Sequence, residues 1–341
     1  MGALLEPFMF EFFRNGVWAA LMVGTLCGLI GVFIVLRGMS YIGHGLSHAA
    51  FGGAVLGYVI NLNFYIGAGI AGFIAAVLIN QLAKGNKIKP DAAIGIVTTA
   101  FFALGVALIS RVRQFTKSFD AALFGNILGV NAVDLIIIAV VLVLTILAVF
   151  FLYKPLLFST FDHEAATVFG IRTELIQLVF SLLLALAIIA SMNVVGVTMI
   201  AATLVIPAST ARLLTDSFSR MLVLSAGIGA FMGIAGMYSS YQFDAASGAT
   251  IVLSGAFIFC CVLLFNYIKD KMDYHEHTHR HGKLAHSHPH HHDTEHAHLH
   301  KNAGHPHTHS HEGYEYSHEH NDKGKDKGKD KDKGAHEHSR K

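Results

Sequence analysis

Two histidines, His44 and His48, lie four residues apart within an apolar stretch of the chain. On an α-helix this spacing places both imidazoles on one face, where they can bind a single metal ion. Ionisable side chains at membrane depth are costly and usually face a cavity or a transport pathway. In a membrane helix, the pair therefore predicts a metal site on a translocation pathway.

A second concentration of histidine lies at the C-terminal end, where residues 274–341 contain 20 of the 23 histidines. This segment cannot bury an apolar core, so we expect it to be disordered. Spaced imidazoles in such a chain can form sites for Zn²⁺, Ni²⁺ or Cu²⁺. The candidate ligands are His275, His277, His279, His281, His286, His288, His290, His291 and His292. The alternative is a solubilising tail, which the Lys/Asp/Gly repeat at 322–334 fits.

Composition indicates a polytopic membrane protein. Hydrophobic residues make up 53% of the 341 residues, and the mean hydropathy is +0.51. Residues 1–268 carry 12 Lys/Arg and 10 Asp/Glu, whereas residues 269–341 carry 13 of each. The first region contains repeated apolar runs of about 20 residues, the length that crosses a bilayer as a helix. We therefore divide the chain into a transmembrane domain, 1–268, and a His-rich, low-complexity tail, 269–341.

Nine apolar segments are predicted to be membrane helices, and eight is the alternative because almost no loop separates the sixth segment from the seventh. The segments are 17–36, 47–60, 65–82, 92–109, 132–153, 174–192, 194–213, 221–241 and 250–267. We expect the second helix to begin earlier, near Ile42, so that it carries the histidine pair. The predicted fold class is thus all-α, a polytopic membrane helical bundle of eight or nine spans.

The positions of the basic residues predict the orientation. Under the nine-span count, most basic residues between the segments, such as Arg37, Lys154 and Arg212, fall on one side of the membrane. Cytoplasmic loops carry an excess of Lys and Arg. We therefore expect the N-terminus outside and the tail in the cytoplasm, although the basic residues of 110–131 go against the rule.

Five segments together carry a family resemblance. They are LRGMSYIGHGLSH at 36–48, DAAIGIV at 91–97, FDHEAATVFG at 161–170, GVTMIAATLVIPASTAR at 196–212 and SGATIV at 247–252. In this order and spacing they resemble the permease subunit of the bacterial ABC importers for zinc, manganese and iron. The likeness covers roughly residues 10–267, and the tail lies outside it.

The resemblance implies a bundle of the type found in vitamin B12 and siderophore importers, located in the bacterial cytoplasmic membrane. It also implies a homodimer of two such chains around one pathway. A separate ATP-binding subunit would supply energy, and an extracytoplasmic metal-binding protein would deliver the ion. No phosphate-binding Gly-x-x-x-x-Gly-Lys-Ser/Thr motif occurs in the sequence, so we expect no ATP hydrolysis by this chain.

The same resemblance implies that the ion passes His44 and His48. The family usually has Asp where this chain has His44. Two imidazoles suit Zn²⁺ better than Mn²⁺, which prefers oxygen ligands. We therefore expect zinc import, with manganese or iron import by the same complex as the alternative. An ATP-independent metal carrier or efflux protein is the rival from another class.

The longest inner loop, 154–173, matches the segment that docks to the ATPase in related importers. Asp162 would lie at the N-terminus of a short amphipathic helix, where the helix dipole favours a carboxylate. A solvated loop helix is the alternative. The candidate coupling residues are Phe161, Asp162, Glu164 and Gly170.

Several other residues have two interpretations. Pro207 interrupts the seventh apolar segment and is expected to kink the helix there, as a gate or for packing. Asp91 follows Pro90 and can cap a helix or handle ions. Five glycines near the histidines serve close helix packing or thin the helix beside an ion path; they are Gly43, Gly45, Gly52, Gly53 and Gly57.

Overall fold

The computed structural model describes residues 6–83, 88–111, 123–281, 284–291, 307–311 and 314–318. The chain divides into two compact units, Met1–Ile268 and Lys269–Lys341. In the described residues of the first unit, all regular secondary structure is helical. The all-α class predicted for the membrane domain is thus confirmed.

Eleven α-helices are present in the described residues, with short 3₁₀ helices at Glu6–Met9 and Ile127–Gly129. The α-helices are α1 (Glu11–Leu36), α2 (Ile42–Val59), α3 (Phe64–Ala83), α4 (Pro90–Arg111), α5 (Ala132–Phe151), α6 (Tyr153–Phe161), α7 (His163–Val168), α8 (Thr173–Val195), α9 (Ile200–Leu214), α10 (Phe218–Phe243) and α11 (Ser247–Asp273).

Seven of these helices are long and apolar enough to cross a membrane, namely α1, α3, α4, α5, α8, α10 and α11. Two further helices match predicted segments: α2 has 18 residues and α9 has 15. Glycines and two histidines make α2 less apolar than its neighbours. The bundle predicted from the sequence is therefore confirmed, and α2 begins at Ile42 as expected.

The boundary between the sixth and seventh segments differs from the prediction. Helix α8 continues to Val195, and α9 begins only at Ile200. Gly196 between them has a φ of +84°, which glycine adopts without the steric penalty of a side chain. A methyl group at this position would also collide with the backbone of residues 123–125. The chain can therefore turn here without any polar loop that hydropathy would reveal.

Small residues determine how closely the helices approach. A methyl group at Gly24 of α1 would collide with the backbone of Gly229 in α10. One at Gly53 of α2 would collide with the backbone of Gly67 in α3. Such contacts favour helix association in lipid. Helix α2 packs against α3, α4, α8 and α9, with 13 of its 18 residues buried.

The described tail segments pair as two separate antiparallel ladders. Strand β1 (Tyr274–His281) pairs with β2 (Leu284–His291), and β3 (His307–His311) pairs with β4 (Tyr314–His318). A two-stranded hairpin by itself is at best marginally stable in water. Among the described residues after Asp273, regular structure is limited to these two hairpins, which lie in the segment that the sequence predicts to be disordered. His292 lies outside the described residues.

Candidate metal site and coupling segment

The turn between α1 and α2 brings the histidine pair into the bundle. Helix α1 ends at Leu36 with Arg37 as its C-cap, after which Gly38 adopts a φ of +66°. The Met39 N–H bonds to the Ile34 carbonyl at 3.0 Å, and the Gly38 N–H bonds to the Val35 carbonyl at 3.1 Å. These two bonds form a Schellman motif, which stops a helix sharply. The chain can then begin α2 only a few residues later.

His44 and His48 share one face of α2, as their spacing predicted. Their Nε2 atoms are 3.1 Å apart, and the two rings are nearly perpendicular at 87°. With metal–nitrogen bonds of about 2.1 Å, a separation of 3.1 Å gives a ligand–metal–ligand angle of about 95°. That angle lies between the octahedral and tetrahedral values. The geometry therefore allows both imidazoles to bind one metal ion.

The surroundings of the two rings differ. His44 is exposed and His48 is half-buried. The His48 ring packs edge-on against Phe102 of α4, with ring centroids 4.5 Å apart. Its Nδ1 atom is buried and has no hydrogen-bond partner among the described residues. Packing against Phe102 and the hydrogen-bond contact of its Nε2 with that of His44 thus hold the His48 ring, while His44 is exposed.

The described residues place two candidate ligands, His44 and His48, at this site. Among the described residues, no group of three or more His, Cys, Asp or Glu side chains could hold a metal ion. A transition metal usually takes four to six ligands. The two imidazoles thus fill part of such a shell, and water or further donor groups would fill the rest.

The glycines beside the histidines bring α4 close to α2. A methyl group at Gly45 would lie 2.6 Å from the Ile94 side chain and 2.8 Å from that of Thr98. One at Gly52 would collide with the carbonyl oxygen of Phe101. Packing therefore accounts for these glycines, and it also places Phe102 next to His48.

The loop after α5 forms two short helices, as predicted for its second half. Asp162 lies between α6 and α7 and accepts a hydrogen bond from the Ala165 N–H at 2.8 Å, which makes it the N-cap of α7. Such a cap stabilises a helix by about 1 kcal/mol. Gly170, with a φ of +78°, ends the segment. The side chains of His163 and Glu164 lie outside the described residues.

This segment exposes large apolar side chains. Phe161 is 63% exposed, Val168 is 86% exposed and Phe169 is 75% exposed. Large apolar side chains exposed outside the membrane-spanning helices can form protein interaction sites. The three residues define what we call the apolar tip, and its character suits contact with another subunit.

The structure places the two other candidate residues in ordinary helical surroundings. Pro207 is buried within α9, where it packs as well as interrupting the hydrogen-bond ladder. Asp91 lies in the first turn of α4, after Pro90 at the first helical position. The possible cap is thus corrected to a first-turn carboxylate, which the helix dipole stabilises.

A polar cluster that the sequence did not predict joins α3, α5 and α8. The Tyr65 hydroxyl donates a short hydrogen bond to Asp134, whose side chain is 7% exposed. The Asn193 amide donates to the Tyr65 oxygen at 2.5 Å and to Asp134 Oδ1 at 3.4 Å. Asp134 also accepts from the Asn131 N–H at 3.1 Å, completing a capping box at the start of α5. That local Asn-x-x-Asp pattern was the only signal available in the sequence.

The sequence of the membrane unit matches a known family throughout its length. The model of the ABC 3 transport family matches residues 9–266. The chain belongs to this family. The resemblance carried by the five sequence segments is thereby confirmed.

Two relatives and one solved structure illustrate the match. The chain is 40% identical over 257 residues to the manganese transport system membrane protein MntC of Halalkalibacterium halodurans, covering 75% of this chain and 88% of that protein. It is 36% identical over 266 residues to a probable iron transport system membrane protein of Haemophilus influenzae, covering 78% and 98%. PsaBC from Streptococcus pneumoniae in complex with Fab has a TM-score of 0.72 at 36% identity, covering 79% of this chain and 99% of that chain.

This family member is a multi-pass membrane protein and a permease subunit of a metal ABC importer. The relatives described above are named for manganese and iron. They give no support to the zinc expectation and agree better with the alternative of manganese or iron import.

Proposed function

We propose that this chain forms the pathway of a bacterial importer that carries Mn²⁺ into the cytoplasm, with Fe²⁺ as a related substrate. The observation that carries this proposal is the His44–His48 pair, with Nε2 atoms 3.1 Å apart on an otherwise buried helix. The choice of metal rests on the relatives, which include a manganese transport protein at 40% identity. The pair would bind the ion in transit.

Two copies of the chain would complete the ion site. Each copy offers two imidazoles, and His44 is exposed on the surface of the single chain. If two copies face each other across the pathway, four imidazoles and water can surround one ion. Weakly held water ligands would let the ion leave again, as transport requires.

Zinc import is the second candidate, and the donor set itself favours it. Imidazole ligands bind Zn²⁺ more strongly than Mn²⁺ in the usual order of divalent metals, whereas Mn²⁺ prefers carboxylate oxygen. Metal availability and site geometry decide selectivity in cells more than affinity does. A transport measurement therefore has to distinguish manganese import from zinc import.

The measurement is the accumulation of each metal in cells that lack their own manganese, iron and zinc importers. The cells would produce the permease with its ATPase and metal-binding protein, and intracellular metal would be measured by elemental analysis. The manganese proposal expects accumulation of manganese in preference to zinc at equal external concentration. The reverse preference would favour the zinc candidate, and no accumulation of any metal would contradict both.

ATP would drive this import from a separate subunit docked at the apolar tip. The tip exposes Phe161, Val168 and Phe169, while Asp162 caps the helix that presents two of them. Of the predicted coupling residues, Phe161 would make direct contact, and Asp162 and Gly170 would shape the segment. Glu164 stays a prediction for the same contact. On the other side of the membrane, a metal-binding protein would deliver the ion.

The C-terminal tail would bind metal in the cytoplasm and buffer what enters. In the described strands, His275, His277 and His279 occupy register positions opposite His290, His288 and His286. Directly opposite residues in an antiparallel ladder are close neighbours. This register supports the prediction that the tail histidines act as metal ligands, and the positive-inside count supports the cytoplasmic location.

A further inference from the structure

Arg37, at the end of α1, carries a cation that is partly buried and held by three neighbours. Its Nε donates a hydrogen bond to Thr160 Oγ1 at 3.1 Å, and its Nη1 donates to Gln177 Oε1 at 2.5 Å. The guanidinium carbon lies 4.3 Å from the centroid of the Phe180 ring. Thr160 belongs to α6, and the other two residues belong to α8. One side chain thus joins three helices.

The arrangement depends on the shape of the guanidinium. Both hydrogen-bond acceptors are neutral, and burial lowers the pKa of Arg37 from 12.5 to about 10, which still leaves it charged at neutral pH. A planar fork reaches two acceptors and an aromatic face at once, which an ammonium cannot do. Thr160 in turn donates to the Leu156 carbonyl at 2.6 Å, so its hydroxyl oxygen is free to accept from Arg37. The contact is therefore specific to these side chains.

The hydrogen bonds to Thr160 and Gln177 leave part of the guanidinium unpaired. Its Nη2 atom is buried and has no hydrogen-bond partner among the described residues. A buried unpaired donor on a charged group is unfavourable, so it calls for a structural or functional explanation.

Arg37 connects two functional parts of the chain. Thr160 is followed at once by Phe161 of the apolar tip and by Asp162, the cap of α7. On its other side, Arg37 is followed by the sharp turn at Gly38 and then by α2 with His44. The side chain therefore lies between the proposed ATPase-docking segment and the helix that bears the histidines.

We propose that Arg37 is a positioning residue that transmits movement of the docking segment to α1 and α2. The inference rests on the proposed function of the apolar tip. When the ATPase displaces α6, the hydrogen bond between Arg37 and Thr160 displaces the Arg37 guanidinium as well. Because only a short turn separates Arg37 from α2, the histidine pair moves with it. Without the Arg37–Thr160 hydrogen bond, the docking segment and the histidine pair each stay intact, but movement of the first no longer moves the second.

The test compares metal transport with ATP hydrolysis in the same proteoliposomes, containing the complete importer. Thr160→Val removes the acceptor for Nε together with the local hydroxyl bond to the Leu156 carbonyl, and Arg37→Lys keeps the charge without the fork. Exposed Arg212, which pairs with Asp216 at 3.0 Å, provides the control variant Arg212→Ala. We expect normal assembly and hydrolysis for both link variants, with metal transported per ATP reduced roughly 2- to 30-fold. The control should keep the wild-type ratio.

A purely structural role of Arg37 predicts a different result. Transport and hydrolysis would then fall together, in proportion to the amount of assembled complex, and their ratio would stay unchanged. That result, or a normal ratio with normal activity, would overturn the inference. If the Arg37→Lys variant fails to assemble with the ATPase, the metal transported per ATP by the Thr160→Val variant alone tests the inference. Failure of wild-type complex to transport any metal would instead contradict the proposed function.

Discussion

The Ser47 hydroxyl lies 3.0 Å from the carbonyl oxygen of Val197 and 2.8 Å from that of His44. Ser47 is fully buried, so this contact fixes the histidine-bearing helix to the turn between α8 and α9. The turn is the one that Gly196 makes possible. The position of the histidine pair thus depends on a residue about 150 positions away in the chain.

Ser47→Ala should therefore destabilise the protein and misplace the histidines. Removing a buried hydroxyl leaves buried carbonyl oxygens without this partner, which costs about 1–3 kcal/mol. We expect a lower thermal unfolding midpoint in detergent and reduced metal uptake. The control is Ser110→Ala, because Ser110 is exposed and makes the same type of local bond to the Ala107 carbonyl at 2.8 Å. Equal midpoints for the two variants would contradict the anchoring role.

The polar cluster of Tyr65, Asp134 and Asn193 should behave as one unit. Asp134→Ala would leave the Tyr65 hydroxyl and the Asn193 amide without their shared acceptor. We therefore expect the free energy of unfolding to fall by about 2 kcal/mol or more. Tyr65→Phe should lower the free energy of unfolding by less. In the double variant the two losses should not add, because the residues share one hydrogen-bond network. Additive losses in denaturation of the purified protein would show that the cluster is not coupled.

The apolar tip should be required for assembly with the ATPase. Val168→Asp places a charge on a side chain that is 86% exposed, so the permease should still fold while subunit contact is lost. The measurement is the amount of ATPase that co-purifies with the permease. Phe243→Asp is the matched control, since Phe243 is 78% exposed at the last residue of α10. Full co-purification of the Val168→Asp variant would argue against docking at the tip.

Deleting residues 274–341 should leave uptake in place but lower the tolerance of cells to excess metal. With an unperturbed imidazole pKa of about 6.5, metal binding by the tail should fall as pH drops through about 6, because protons compete for the same nitrogens. Calorimetric titration of wild-type and truncated protein at two pH values measures this. Complete loss of uptake on deletion would contradict a buffering role. Protection of the tail from protease in inside-out vesicles would contradict its cytoplasmic location.

Local sequence patterns predicted the parts of the structure that depend on neighbouring residues. The spacing of His44 and His48 placed both rings on one face because a helix repeats every 3.6 residues. Asp162 was expected at the start of a short helix because a carboxylate there meets free N–H groups. Helix α2 was expected to begin near Ile42 because the apolar segment 47–60 is short for a membrane span. All three expectations agree with the structure.

The remaining features depend on residues that are distant in sequence. Arg37 meets its partners 123 and 140 positions away, and Tyr65 meets Asp134 and Asn193 at separations of 69 and 128. Nothing in the local pattern around these residues identifies the partner. The turn at Gly196 was misplaced because apolar residues surround it on both sides. Hydropathy cannot distinguish such a turn from the interior of a helix.

Replacing His44 with Asp tests how the donor set controls the choice of metal. A carboxylate at this position supplies the oxygen ligand that Mn²⁺ prefers. We expect the ratio of manganese to zinc accumulated to rise, with total uptake retained. His44→Asn is the control, because asparagine resembles aspartate in shape but carries no charge. An unchanged metal ratio would show that His44 does not contact the ion.

The most direct test of the central claim is metal uptake by the His44→Ala, His48→Ala and double variants. Each would be produced with the ATPase and metal-binding protein in cells lacking other importers, and accumulated manganese, iron and zinc would be measured together. The account predicts reduced uptake in each single variant and none above background in the double variant. Permease levels and ATPase co-purification should stay normal. Wild-type accumulation of metal by the double variant would contradict the claim that the ion passes this pair.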